Sequence, residues 1–134
     1  MSIGHGAKCR IIAKNETEVV YEYACYNLNN DEHELAKESY SGLITIKKKA
    51  FFEPEIREKI KRFPNGKKKK LIKRIHKNVD FDILIREKQI IIKNSDFCWL
   101  KYLDVDIMAR KLITKLFDEY QDNSIIPDSS TLYY

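Results

Sequence analysis

Strict alternation of apolar and polar positions marks the first third of the chain. From Thr17 to Tyr26, Val19, Tyr21, Tyr23 and Cys25 fall on one side, with Glu18, Val20, Glu22, Ala24 and Tyr26 on the other. That period of two, in β-branched and aromatic residues, predicts a half-buried strand. Lys8 to Ala13 predicts a shorter strand before it, and Asn15 and Glu16 supply the turn of a hairpin. Asn27 to Lys37 is rich in Asn, Asp and Glu and is expected to be an exposed acidic loop. Tyr40 to Ile46 alternates again, giving a third strand antiparallel to the second.

The period then lengthens. Pro54 at a first helical position, Glu55 behind it, and Ile56, Ile60 and Phe63 at spacings of four and three predict a short helix ended by Pro64, Asn65 and Gly66. Lys67 to Asn78 places Leu71, Ile72, Ile75 and Val79 on one helical stripe, so the pair is expected to form a basic helical hairpin. Phe81 to Glu87 fits either period, and Asp80 as an N-cap tips the reading towards a helix. Gln89 to Lys93 and Phe97 to Tyr102, with Asn94, Ser95 and Asp96 between them, predict a second β-hairpin.

The last predicted element is a long helix capped by Asp104, with Val105, Met108, Ala109, Leu112, Leu116 and Tyr120 at helical spacing and Leu103 stapled to Met108. The expected fold is therefore α+β. It has an antiparallel sheet of about four or five strands, a basic helical hairpin, and a long C-terminal helix packed on one face. The 134 residues suit a single domain, 1–134, with 1–6 and 123–134 as flexible tails, although Leu132, Tyr133 and Tyr134 offer apolar groups for docking back.

Charge changes this picture more than composition does. Met1 to Ile46 holds 4 basic and 7 acidic residues, Lys47 to Asn78 holds 14 and 3, and Val79 to Tyr134 holds 7 and 10. The net +5 therefore hides a middle segment of +11 between flanks of −3 each. Such a segment attracts anionic partners. A bland account competes with this: Lys outnumbers Arg 19 to 6 and Ile is abundant, as expected of an AT-rich, bacterial-like coding sequence.

The candidate chemistry is sparse. Cys9, Cys25 and Cys98 are odd in number and widely spaced among apolar neighbours, which fits buried thiols in a reducing cytoplasm rather than a disulfide framework. His5, His33 and His76 are too far apart to form a zinc pattern, and His5 with Cys9 falls short of a ligand set. Asp104 and Asp106 read as helix-cap carboxylates that also suit the helix dipole. The four glycines form no phosphate cradle. Neither a catalytic residue, a metal site, a cofactor nor a membrane span is expected.

Two binding sites remain. One is the basic patch of Lys47, Lys48, Lys49, Arg57, Lys61, Arg62, Lys67, Lys68, Lys69, Lys70, Lys73, Arg74 and Lys77. The other is the acidic loop, with Asp31, Glu32 and Glu34. The reading that demands least is a small non-enzymatic protein-interaction module, an inhibitor, immunity-type protein or adaptor, that meets a protein partner through segregated charge. The alternative is an RNA- or DNA-binding protein that contacts phosphates through residues 47–78.

Overall fold

In the computed structural model, which describes residues 4–134, alternation builds a five-stranded antiparallel sheet. Its strands are β1 (His5–Lys14), β2 (Glu18–Asn27), β3 (Gly42–Lys47), β6 (Ile90–Lys93) and β9 (Ser129–Tyr133), in the order β6-β3-β2-β1-β9. Asn15 closes the β1–β2 turn by accepting from the backbone N–H groups of Thr17 and Glu18. Cross-strand register then puts one parity of every strand on the same side. Ala7 lies opposite Cys25 and Leu132, Tyr21 opposite Ile44, and Ile46 opposite Val19 and Ile90.

That side is the core, and α3 (Ile107–Asn123) packs on it. Met108, Ala109, Leu112, Ile113, Leu116 and Phe117 of the helix are buried with Val19, Tyr21, Tyr23, Ile44, Ile46 and Ile90 of the sheet. Phe117 also meets Phe51 and Phe81 at ring-centroid distances of 4.8 and 5.2 Å. Two short helices complete the chain, α1 (His33–Glu38) and α2 (Phe81–Arg86), and Asp80 caps α2 as its side chain predicts. Arg110 of α3 pairs with Asp82 of α2 at 2.6 Å.

Several expectations are corrected. The basic segment is not a helical hairpin: it forms β4 (Glu55–Arg62) and β5 (Lys68–Ile75), paired antiparallel as a separate two-stranded ribbon. Ile56 and Ile60, set at helical spacing, also satisfy a period of two, and Phe63–Lys67 closes as a hairpin loop. In it Gly66 adopts φ +80 and donates to the Phe63 carbonyl. A three-residue connection ending in a left-handed glycine is a hairpin geometry. The acidic loop is partly helical, since α1 begins at His33. β6 pairs with β3 rather than with Phe97–Tyr102, where β7 (Lys101–Tyr102) instead pairs with β8 (Val105–Asp106). Cys98, read as part of a strand, precedes β7.

Asp104 and Leu103 form the tight β7–β8 turn, both at positive φ, so neither caps nor staples α3. Asp106 takes the cap instead, its Oδ1 accepting from the Met108 N–H at 2.9 Å. Of the expected tails, 1–3 lie outside the described residues, His5 and Gly6 belong to β1, and 129–133 form β9 with Leu132 buried. The alternating inward positions Ser130 and Leu132 outweigh the polar composition that suggested a tail.

The cap is tied to the sheet. Asp106 is 1 % exposed, and its Oδ2 accepts from the Tyr23 hydroxyl at 2.8 Å and the Cys25 thiol at 3.4 Å. Gly42, opposite Tyr23, makes room for that ring, since a Cβ there would stand 2.0 Å from Tyr23 Cε1. Gly42→Ala is expected to push the ring off Asp106 and cost about 2–3 kcal/mol or more, because overpacking is added to a broken buried hydrogen bond. Urea unfolding of both proteins measures it, and an unchanged midpoint would refute the coupling.

Candidate nucleic-acid interface

The ribbon has almost no core of its own. Glu55 to Arg74 is exposed throughout, with Ile60 at 62 % and Ile72 at 64 %. Across the pair, Arg57 stands opposite Lys73, Lys61 opposite Lys69, and Arg62 opposite Lys68. Like charges directly opposite one another on a ladder are destabilising. Only a few acids relieve them: Glu55 pairs with Arg57 at 3.2 Å and Glu58 with Lys70 at 3.0 Å.

Register sorts the charges by face. Arg57, Lys59, Lys61, Lys69 and Lys73 share one face with Leu71, and Arg62, Lys68, Lys70 and Arg74 share the other with Ile56, Ile60 and Ile72. On the second face an open concavity of about 470 Å³ is lined by Glu58, Ile60, Lys68 and Lys70. Lys67 sits in the loop, where its N–H donates to Asn65 Oδ1.

Among the described residues, the hydrogen bonds that hold the ribbon to the body lie at its base. Gln121, 3 % exposed on α3, donates to the Phe52 carbonyl on one side and accepts from the Lys77 N–H on the other. Arg74 Nη1 donates to the Gln121 carbonyl and to Ser124 Oγ, and His76 Nε2 lies 2.6 Å from Asp122 Oδ1. Glu53 accepts from the Tyr120 and Ser124 hydroxyls. Those hydroxyls, Tyr120 first, hold its carboxyl below the ordinary range. Spacing in the sequence announced none of these clamp residues, because each pairs with a residue 44 or more positions away.

The remaining basic positions lie close to this base. Lys47 ends β3, and Lys48 and Lys49 form a 3-10 turn with Ala50, bordering a cleft of about 300 Å³ with Glu16 and Thr17. Lys77 follows β5. The acidic residues are at the opposite end of the sheet: β2 starts against Lys47 and finishes at Asn27, beyond which come Asp31, Glu32 and Glu34. The structure thus brings the basic residues into one region and leaves the acidic ones outside it.

Burial dominates the thiols. It pushes Cys9 up to about 12 and raises Cys25 strongly, with the Asp106 charge adding to the rise at Cys25, so both stay neutral thiols at ordinary pH. Among the described residues no group of three or more His, Cys, Asp and Glu could hold a metal ion, and no helix is long and apolar enough to cross a membrane.

Gln121→Ala is expected to cost about 1–3 kcal/mol, since it removes a buried amide that bonds the backbone on both sides of the ribbon. It should also speed amide exchange across 52–77 more than in the sheet, and uniform exchange rates would refute a local clamp. Glu53, whose folded carboxyl is lowered, adds stability above the ordinary carboxylate range and loses it as pH falls through the lowered value. Amide protection factors at the ribbon base, corrected for the intrinsic base-catalysed rate, should therefore fall on acidification in the wild type and change less in Glu53→Gln. No family model, curated protein or solved structure matches the chain.

Proposed function

We propose that the chain is a non-enzymatic nucleic-acid-binding protein that grips phosphates with the β4–β5 ribbon. The observation that carries this reading is the set of three like-charge pairs, Arg57 with Lys73, Lys61 with Lys69 and Arg62 with Lys68, on a ribbon with little burial to offset them. A polyanion relieves that repulsion and gains by releasing its own counterions. A merely solvated lysine face has no need of such register. The exposed isoleucines among the cations favour a macromolecular ligand over small anions, because only a large ligand covers them.

The test uses Lys68→Glu, Lys69→Glu and Lys73→Glu together. Each replacement faces a cation across the ribbon, so the fold gains three opposite-charge pairs while net charge drops from +5 to −1. Fluorescence anisotropy with labelled DNA and RNA across a salt series is expected to show saturable wild-type binding. In the variant, the slope of log affinity against log salt should flatten by about 3 units, at roughly one unit per phosphate contact. The variant should unfold at an equal or higher temperature. Absence of wild-type binding at low salt would refute the proposal and return the segregated charge to an acidic protein partner.

A further inference from the structure

Resting on the reading of the ribbon as a phosphate-binding element, we propose that its ligand is B-form double-stranded DNA, entered edge-on through the major groove. A ligand that lies on a surface meets cations on one side only, whereas this ribbon carries Arg57, Lys59, Lys61, Lys69 and Lys73 on one face and Arg62, Lys68 and Lys70 on the other. Arg74, on the second face, is engaged at the clamp. Opposed cationic faces suit a ligand with two opposed anionic walls, and the walls of a duplex groove are its two phosphate strands.

Dimensions choose the groove. A β layer with its side chains occupies about 10 Å, the distance at which stacked sheets pack. The B-form major groove is about 12 Å wide and admits a two-stranded ribbon, while the minor groove, at about 6 Å, does not. The deep groove of an A-form RNA duplex is too narrow for side chains to read. Eight-residue strands reach roughly 25 Å, about seven base-pair steps along the groove.

The apolar side chains fit the same placement. Ile56, Ile60 and Ile72 share a face and are 53 %, 62 % and 64 % exposed. With the faces against the walls, these side chains meet the sugar carbons of the backbone rather than the base edges at the floor, and lose their water there. The clamp at Gln121 holds the base of the ribbon clear of the groove. At the same end of the body, Lys47, Lys48 and Lys49 are placed to take phosphates beside the entry point.

The full chain is titrated against three labelled probes of matched base composition and equal total phosphate number, namely duplex DNA, duplex RNA and a single-stranded DNA of twice the length, at the same salt. Duplex DNA is expected to bind at least tenfold more tightly than either of the others. Netropsin in the minor groove should leave that affinity unchanged, and methyl green in the major groove should compete with it. Ile60→Ser with Ile72→Ser, both at exposed sites, should weaken duplex DNA severalfold and leave the salt slope intact. Equal affinity for all three probes, preference for RNA or single strands, or competition by netropsin alone would overturn groove entry while the phosphate-binding reading stood. Failure of all three to bind would remove both.

Discussion

The architecture hangs on one buried carboxylate. Asp106 caps α3 through Met108 and receives the Tyr23 hydroxyl from the middle of the sheet, so a single side chain fixes where the helix starts and which strand it starts against. The Tyr23 oxygen also accepts from the Ser95 N–H, which brings the segment after β6 into the same junction, and Asn94 Oδ1 accepts from the Asp106 N–H. A buried charge is tolerable only when its hydrogen-bonding capacity is filled and the local potential suits it. Here the helix N-terminus and three side chain or backbone donors meet both conditions. Loss of any donor leaves a charge in a dry site, so the junction is far less forgiving than the aliphatic packing around it.

The consequence runs the length of the helix. α3 starts at the end of the sheet where Tyr23 pairs with Gly42, and it finishes where Lys47 leaves β3. At that far end Gln121 and Ser124 hold the base of the basic ribbon, and Tyr120 reaches Glu53. A ribbon made of like charges cannot rely on its own side-chain contacts for its position. It depends on a helix anchored fifteen residues before Gln121, by the Asp106 carboxylate. The anchor and the clamp thereby sit at opposite ends of one element.

The legible parts of the sequence were those in which local pattern and tertiary demand agree. β1, β2 and β3 alternate over residues that also form the core, and Met108, Leu112 and Leu116 repeat at a helical period on the face that packs. The α3 cap was misplaced by two residues because Asp104 and Asp106 are chemically alike, and only burial distinguishes them. The basic segment misled for a different reason. Ile56 and Ile60 are four apart, a spacing that satisfies both a helix and a strand, and the apolar residues pack against nothing that would choose between the two. Two local signals favoured the strand: Pro64-Asn65-Gly66 between alternating runs, and lysines where a helix N-terminus would repel them. The charge segregation was readable throughout, whereas its division between two faces of a ribbon required the register.

Preorganisation explains why such a ribbon is worth holding in place. Ordering twenty or so residues on contact with a ligand costs binding free energy for each backbone dihedral fixed, and a charged segment without a core would remain open by itself. Closing its two ends on Gln121 reduces the loop to a short hairpin and fixes the register before a ligand arrives. The remaining repulsion between Arg57 and Lys73, Lys61 and Lys69, and Arg62 and Lys68 is then a local strain that an anion removes on contact. Reversing one member of each pair would replace three like-charge contacts with opposite-charge ones. The arrangement is unfavourable in isolation, and on the proposed reading negative charge along both faces offsets it.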